Sequence, residues 1–388
     1  MSAIGKLYYG LRTRGVGYLL RVIPNEIANP RLGVTAYIRS ALIRLLGIVH
    51  RSSSSNAAWS RSCLQFFYDL SASPLTFDFA GYLAAAEVER RTRGLAGINV
   101  IFVLGSYDGV RREEAAYDAA IDRVKRLGRL RNVLIPMLSL LPSVRSYAVC
   151  AERDAAAELI TANQEQLYPR DYRVFLPRQP SPRVIHEHAR RKAVIWPLLC
   201  ATEHGRRIVR EFLDREAIGR LPVVITLRHY DYSPARNSRS EDWIAFASAL
   251  DPNVYAPIFV HDTETAMRRS RVDVRGHILC EAATWNLEVR MALYEAAWLN
   301  MALMHGPLEL CWYNERVRYL LFINLGTAPE TTEARLIENG HRIGQDLVFA
   351  RPWQRLIWGA DQESALRREF HVMELQLRDL EGIGDRTQ

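Results

Sequence analysis

Apolar runs of strand length recur along this chain, each followed by a loop and then by a stretch whose apolar residues repeat at helical spacing. Residues 64–70 (LQFFYDL) and 98–104 (INVIFVL) are two such runs. Between them, Phe79, Tyr82, Leu83 and Ala86 fall on one stripe of residues 77–93. A strand buried on both faces reads as a continuous apolar run, because helices cover each side of a parallel sheet. Strand, loop, helix and strand make the βαβ unit of a doubly wound sheet. The pattern continues with a charged surface helix over 112–126 and a third strand over 133–138 (VLIPML).

A second series starts at residue 221. Residues 222–228 (PVVITLR) form a buried-type strand, and a polar loop leads to a helix around 243–247. Further strands are read at 255–262 and 277–281, a helix at 287–304, strand character at 308–313 and a closing charged helix at 361–382. Between the two series, residues 143–200 carry Pro169, Pro177, Pro180 and Pro182 and read as a crossover. At 388 residues the chain is too long for one ordinary core. The fold class is therefore α/β, with two Rossmann-like domains facing across a cleft. The reading places a basic arm at 1–60, a first domain at 61–195, a second at 196–360 and a terminal helix at 361–388.

The arm is distinct in charge. Residues 1–61 hold nine lysines and arginines against the single acid Glu26, interleaved with apolar residues. That pattern fits an anionic membrane surface, and it fits equally a pair of helices packed on the body with arginines outward. The whole chain has net charge +8, yet no zinc finger or arginine-rich recognition helix accompanies it, so no nucleic-acid partner is expected. No run of about twenty apolar residues spans a bilayer. The expected place is the cytoplasm, in the membrane-bound case peripheral on the inner membrane. Five scattered cysteines without a CxxC pair signal neither a zinc cage nor a redox dithiol. His186-Glu187-His188 puts both imidazoles on one face only in a strand, and no third ligand is near, so no metal is expected. P-loop, GxGxxG, GxSxG and HExxH patterns are absent from the sequence.

In open α/β sheets ligands bind beyond the carboxyl ends of the strands. That rule selects Arg228, Arg236, Asn237 and Ser238 after the 222–228 strand, Asp262 after the next, and Glu281 after the third. An arginine at a buried strand end is costly unless an anion meets it. Arg228 and Arg236 suit a diphosphate, which guanidinium forks bind in bidentate fashion, with Asn237 and Ser238 as neutral donors. The alternative is a structural arginine paired with Asp262 or Glu281. Asp262 could instead accept hydrogen bonds from a ribose or base. In the first domain, Asp69 and Asp78 border the first strand and are the carboxylates placed to act as a general base. Capping of the following helix by Thr76 or Asp78 is the competing duty.

Residues 223–264 resemble the donor-site region of the GT-B fucosyltransferase superfamily, where a His-x-Arg strand sets its arginine on the β-phosphate of a GDP-sugar. Arg228 matches that arginine, Thr226 stands where the histidine would be, and Val260-His261-Asp262-Thr263 resembles the later acidic motif. The resemblance implies a metal-independent glycosyltransferase without a cofactor, using a nucleotide sugar as substrate. Its donor would lie on the second domain and a glycan or lipid-linked acceptor on the first, as in enzymes that build bacterial surface polysaccharides. Another nucleotide-sugar enzyme of epimerase type, and a non-catalytic scaffold of a polysaccharide-assembly complex, are the alternatives.

Overall fold

The computed structural model describes residues 27, 30, 33–49, 62–105, 109–113, 115–191, 196–263, 272–274 and 276–384. Most of the basic arm, the serine-rich join at 52–55 and Glu264 lie outside them. Within the arm, helix α1 (Gly33–Val49) is described.

The first sheet is parallel, in the order β3-β2-β1-β4, from β1 (Cys63–Asp69), β2 (Gly97–Val103), β3 (Val144–Cys150) and β4 (Leu167–Tyr168). Every residue of β1 and β2 is buried, as their largely apolar runs imply, and the polar Gln65 and Asn99 within them bond one another at 3.4 Å. Helix α2 (Phe79–Thr92) joins them and buries the expected Phe79, Tyr82, Leu83 and Ala86. Gly94, at φ 64°, stops it in the left-handed conformation that glycine adopts freely.

The third strand is not where the sequence pointed. Residues 133–138 are helical and continue α4 (Arg123–Arg129), which follows the short α3 (Ala115–Ala120), through a π turn at Leu130–Leu134. Buried Leu130, Leu134, Met137 and Leu141 recur at steps of four, three and four, which is helical period despite the short apolar run. The strand is β3, inside the segment read as a crossover. Helix α5 (Arg153–Ala162) follows it, the rest of the crossover carries α6 (Arg183–Arg190), and α7 (Glu203–Glu216) comes just after it.

The second sheet has six parallel strands in the order β10-β9-β8-β5-β6-β7. The chain enters at β5 (Leu221–Thr226), winds outward through α8 (Ser240–Ser248), β6 (Tyr255–Val260) and β7 (Ile278–Leu279), and returns to the middle. Helices α9 (Glu281–Trp285) and α10 (Leu287–Ala296) make that return to β8 (Leu299–Leu303), beside β5. Winding then resumes through α11 (Glu309–Trp312), β9 (Tyr319–Phe322), α12 (Glu333–Glu338) and β10 (Gln354–Ile357). The single helix read over 287–304 is thus a helix and an inner strand, and the strand read at 308–313 is helical. Both segments are rich in apolar residues, interrupted by Glu288, Arg290, Glu295 and Asn300, and they meet at Ala297-Trp298 with no glycine or proline between them, so periodicity gives no clear boundary.

The strand order reverses between β5 and β8, which is the topological switch point of a Rossmann-like sheet. The closing helix α13 (Glu363–Gly384) packs on this sheet through Leu366, Phe370, Met373 and Leu377. One hydrophobic cluster runs through both sheets, from Leu64 and Val100 to Val224 and Leu321. The two Rossmann-like halves are therefore packed on one another.

Candidate functional site

At the end of β1, Asp69 is fully buried. Its carboxylate accepts from Arg153 Nη2 at 2.7 Å, the Tyr172 hydroxyl at 2.7 Å, and the Ser71 hydroxyl and amide at 2.6 and 3.0 Å. Those bonds pin the loop after β1 to α5 and leave no lone pair facing solvent. Asp69 is a structural carboxylate here, and the reading of it as a base gives way.

Asp78 is different. It is solvent-exposed at the head of α2 and makes no side-chain cap, while the Thr76 hydroxyl is buried without a partner. Neither residue performs the capping duty. Asp78 instead faces Glu309 of the second domain, and the two carboxyls are hydrogen-bonded. Glu309 is half-buried and its pKa is raised well above the carboxylate range, by burial first and then by Asp78. Surrounding protein thus desolvates Glu309 although its side chain is not fully enclosed. Tyr68 and Tyr82 surround the pair, and burial raises the pKa of each. Beside the pair, Gly306 packs against Phe77, and an added Cβ would stand 3.0 Å from the Phe77 Cβ. The loop after β1 and the turn after β8 therefore meet, carboxyl edge to carboxyl edge.

On the second domain, Arg228 is 5% exposed. Its Nη1 donates to Ser233 O at 3.1 Å and to Asn237 Oδ1, and Nη2 donates to Tyr232 O at 2.7 Å. Among the described residues it has no ion pair. The Asn237 amide bridges to Tyr230 N and O at 3.0 and 3.1 Å, and the Ser238 hydroxyl accepts from Arg228 N at 2.9 Å. Asn237 and Ser238 are thus spent on closing the 229–238 loop, which carries Ser233 at φ 54°. Burial lowers the Arg228 pKa to about 10, with Arg236 adding to it and Asp262 and Glu330 opposing. Arg236 stands 4.0 Å from Glu330 and is partly exposed. Glu281 is exposed in the first turn of α9, beside β7 and two strands out from β5, so it belongs to the sheet edge.

The sequence reading missed His305, at the end of β8 and opposite Arg228 across the switch point. Its ring nitrogen Nδ1 meets Leu303 O at 2.7 Å. Its pKa falls to about 3, through burial first and then, against the lift from the Leu303 carbonyl, through Arg228, Arg290 and Arg236. The reading also missed Glu309 and Arg129. Arg129, on α4, donates to the Tyr230 hydroxyl at 2.8 Å and to Tyr117 at 3.1 Å. Its guanidinium and that of Arg228 lie 5.8 and 5.9 Å from the Tyr230 ring centre. Tyr117 packs edge-on against Tyr232 at 5.1 Å, which completes a second seam between the domains.

His186 and His188 lie on helix α6, not on a strand, and His188 Nδ1 is occupied by Val184 O at 2.9 Å. Among the described residues no group of three or more His, Cys, Asp or Glu side chains is arranged to hold a metal ion.

No protein-family model matches this sequence, and no curated protein does. Solved structures similar to it include the glycosyl transferase family 9 protein from Veillonella parvula DSM 2008, at 10% identity and TM-score 0.45, covering 76% of this chain and 85% of that one. Another is the E. coli ADP-heptose lps heptosyltransferase II, at 11% identity and TM-score 0.42, covering 81% and 99%. E. coli heptosyltransferase WaaC with ADP-2-deoxy-2-fluoro heptose is similar at 11% identity and TM-score 0.40, covering 80% and 100%.

Proposed function

We propose that this chain is a GT-B-type glycosyltransferase that moves a sugar from a nucleotide sugar to a glycan or lipid-linked acceptor in surface-polysaccharide synthesis. One observation carries the reading. The five residues from His305 to Glu309 run from the cationic switch point of the second domain to the Asp78 carboxyl of the first. A diphosphate leaving group and an acceptor hydroxyl need such opposite environments within a few residues of each other.

In this reading the donor diphosphate lies over the β5–β8 switch point. The acceptor oxygen attacks the anomeric carbon, the bond from that carbon to the phosphate oxygen breaks, and the hydroxyl proton passes to Asp78. Glu309 holds its own proton and donates it as a hydrogen bond, which fixes the Asp78 carboxyl. Negative charge growing on the diphosphate is met by Arg236 and by the field of Arg228 and Arg290. Fixed guanidinium charge can serve in place of a metal, and the reaction is proposed to be metal-independent. In its finer form the reading sets the donor strand with the fucosyltransferase superfamily, on Arg228 and the 260–263 motif. Thr226, in place of the histidine, bonds the Tyr294 hydroxyl at 3.1 Å inside the core.

The membrane reading of the arm has support in α1. Arg39, 1% exposed, anchors the helix to Asp171 at 3.0 Å and to the carbonyls of Asp171 and Leu176. Val34, Tyr37, Ile38 and Leu45 remain exposed at helical spacing, with Arg44 beside them. An acceptor carried on lipid would then be met at the bilayer surface.

The test is release of nucleoside diphosphate from a panel of GDP-, UDP-, ADP-, CMP- and dTDP-sugars, with lipid-linked saccharides as acceptors. Acceptor-dependent release lost in Asp78→Asn supports the reading. Release by no donor, or release indifferent to that substitution, rejects it.

A further inference from the structure

A second cationic recess lies away from the proposed donor site, where α6 packs against the 340–348 loop that leads to β10. His186 and Arg190 are four residues apart on α6 and so share one face. Arg183, a turn earlier, bonds the Glu338 carbonyl and clamps the helix to the end of α12. Gly340, at φ 97°, lets the chain turn directly beside the helix, with its Cβ position only 3.7 Å from His186 Nε2. The recess, about 130 Å³, is lined by His186, Arg190, His341, Arg342 and Asp346 among others.

Its lining is unbalanced. Asp346 is the one carboxylate among the lining residues, and both its oxygens are engaged. One accepts from Leu356 N at 2.6 Å and the other from Arg355 Nε at 3.0 Å. Arg190 and Arg342 form no ion pair among the described residues. His341 is 91% buried by its 9% exposure, lies edge-on to Trp312 at 5.7 Å, and its Nδ1 has no hydrogen-bond partner. A buried polar atom without a partner calls for a water or a ligand. Exposed Arg190 and Arg342, gathered beside the imidazoles without a counter-charge, offer N–H groups suited to an anion.

We propose that this recess binds a small oxyanion of the phosphoryl class, held by Arg190, Arg342 and the two imidazoles. The electrostatics at His186 favour an anion. Burial lowers the His186 pKa to about 4, and every charged neighbour acting on it is cationic: His341, Arg190 and Arg183. The phosphoryl group could be free orthophosphate or one carried on a sugar, and the recognition chemistry is the same. Because α6 belongs to the crossover and the loop to the second domain, an anion there would tie the two together. None of this depends on the donor reading.

The experiment uses the full chain at constant ionic strength, with sodium phosphate as probe and sodium chloride as control, read through nitrogen-15 signals of the His186 and His341 imidazoles. Saturable movement of both signals by phosphate and not by chloride is the expected result. Arg190→Ala/Arg342→Ala removes two exposed side chains and leaves the core intact, and it should weaken the response at least tenfold. Arg228→Ala should leave the response in place, which separates this site from the proposed donor crevice. A hexose phosphate, titrated in the same way, binds more tightly than orthophosphate if the sugar-borne group is the natural ligand, and no more tightly if the free ion is. Signals that stay still with both probes, or that move equally in the double variant, overturn the proposal.

Discussion

Gly306 lies so close to Phe77 that its missing side chain sets the distance between the two domains: a Cβ would come within 3.0 Å of Phe77 Cβ and 3.3 Å of its ring. A contact that short is tighter than nine in ten real Cβ contacts, so an added side chain requires Phe77 or the turn after β8 to give by a few tenths of an ångström. Gly306→Ala is expected to cost about 1–3 kcal/mol of stability by overpacking. It should lower transfer far more than that loss implies, because Glu309 moves away from Asp78. Urea unfolding and the transfer rate, measured on one preparation, separate the two effects.

Glu309→Gln and Glu309→Ala should part company. The amide can still donate a hydrogen bond to Asp78, so Gln retains most activity while Ala loses it. The pH dependence of stability gives a second readout. The Glu309 pKa is raised on folding, so the folded state holds a proton that the unfolded state releases. Its contribution is full below pH about 4.5 and is lost as pH rises through the folded-state value. Glu309→Gln should flatten that decline in a series of denaturation curves taken upward from pH 4.5.

Asp69→Asn tests whether this carboxylate is structural. Removing one charge of a buried pair leaves Arg153 unanswered and costs about 3–5 kcal/mol. The expected outcome is a large drop in urea midpoint, with residual transfer per folded molecule close to that of the parent. A stable but inactive variant would return Asp69 to the chemistry.

Flotation with anionic liposomes checks α1. Replacing Tyr37, Ile38 and Leu45 by serine removes three exposed apolar side chains, each giving roughly 1.5–3 kcal/mol when buried. The triple variant should leave the liposome fraction while its melting temperature stays unchanged, since Arg39 still anchors the helix. Unaltered flotation would place membrane contact elsewhere or nowhere.

The sequence made the α/β class readable because β1, β2, β5 and β6 are continuous apolar runs ended by polar residues. It misread the sites where helix and strand are equally apolar. VLIPML at 133–138 is helical, its buried Leu134 and Met137 continuing a face with Leu130 and Leu141, and 299–303 is a strand that follows α10 after two residues. That second error hid the site. Without β8 there was no switch point to find, so His305 and Glu309 passed as part of a turn although Gly306-Pro307 marked it. Arg228, Arg236 and Asp78 were singled out as candidates by strand-end position, and Arg228 also by resemblance. The Asp78–Glu309 contact joins residues from different domains, and no spacing in one chain reveals it. Asn237 and Ser238 look like free donors in sequence, but a loop that must wrap a buried guanidinium uses them for its own closure.

The central claim is that the switch point of the second domain is an anion site, and calorimetric titration with nucleoside diphosphates tests it most directly. At least one of GDP, UDP, ADP, CDP and dTDP should bind saturably, with affinity reduced tenfold or more in Arg236→Ala, whose side chain is partly exposed and leaves the Arg228 loop standing. Heats indistinguishable from dilution for all five, or equal affinity in the variant, would contradict the account.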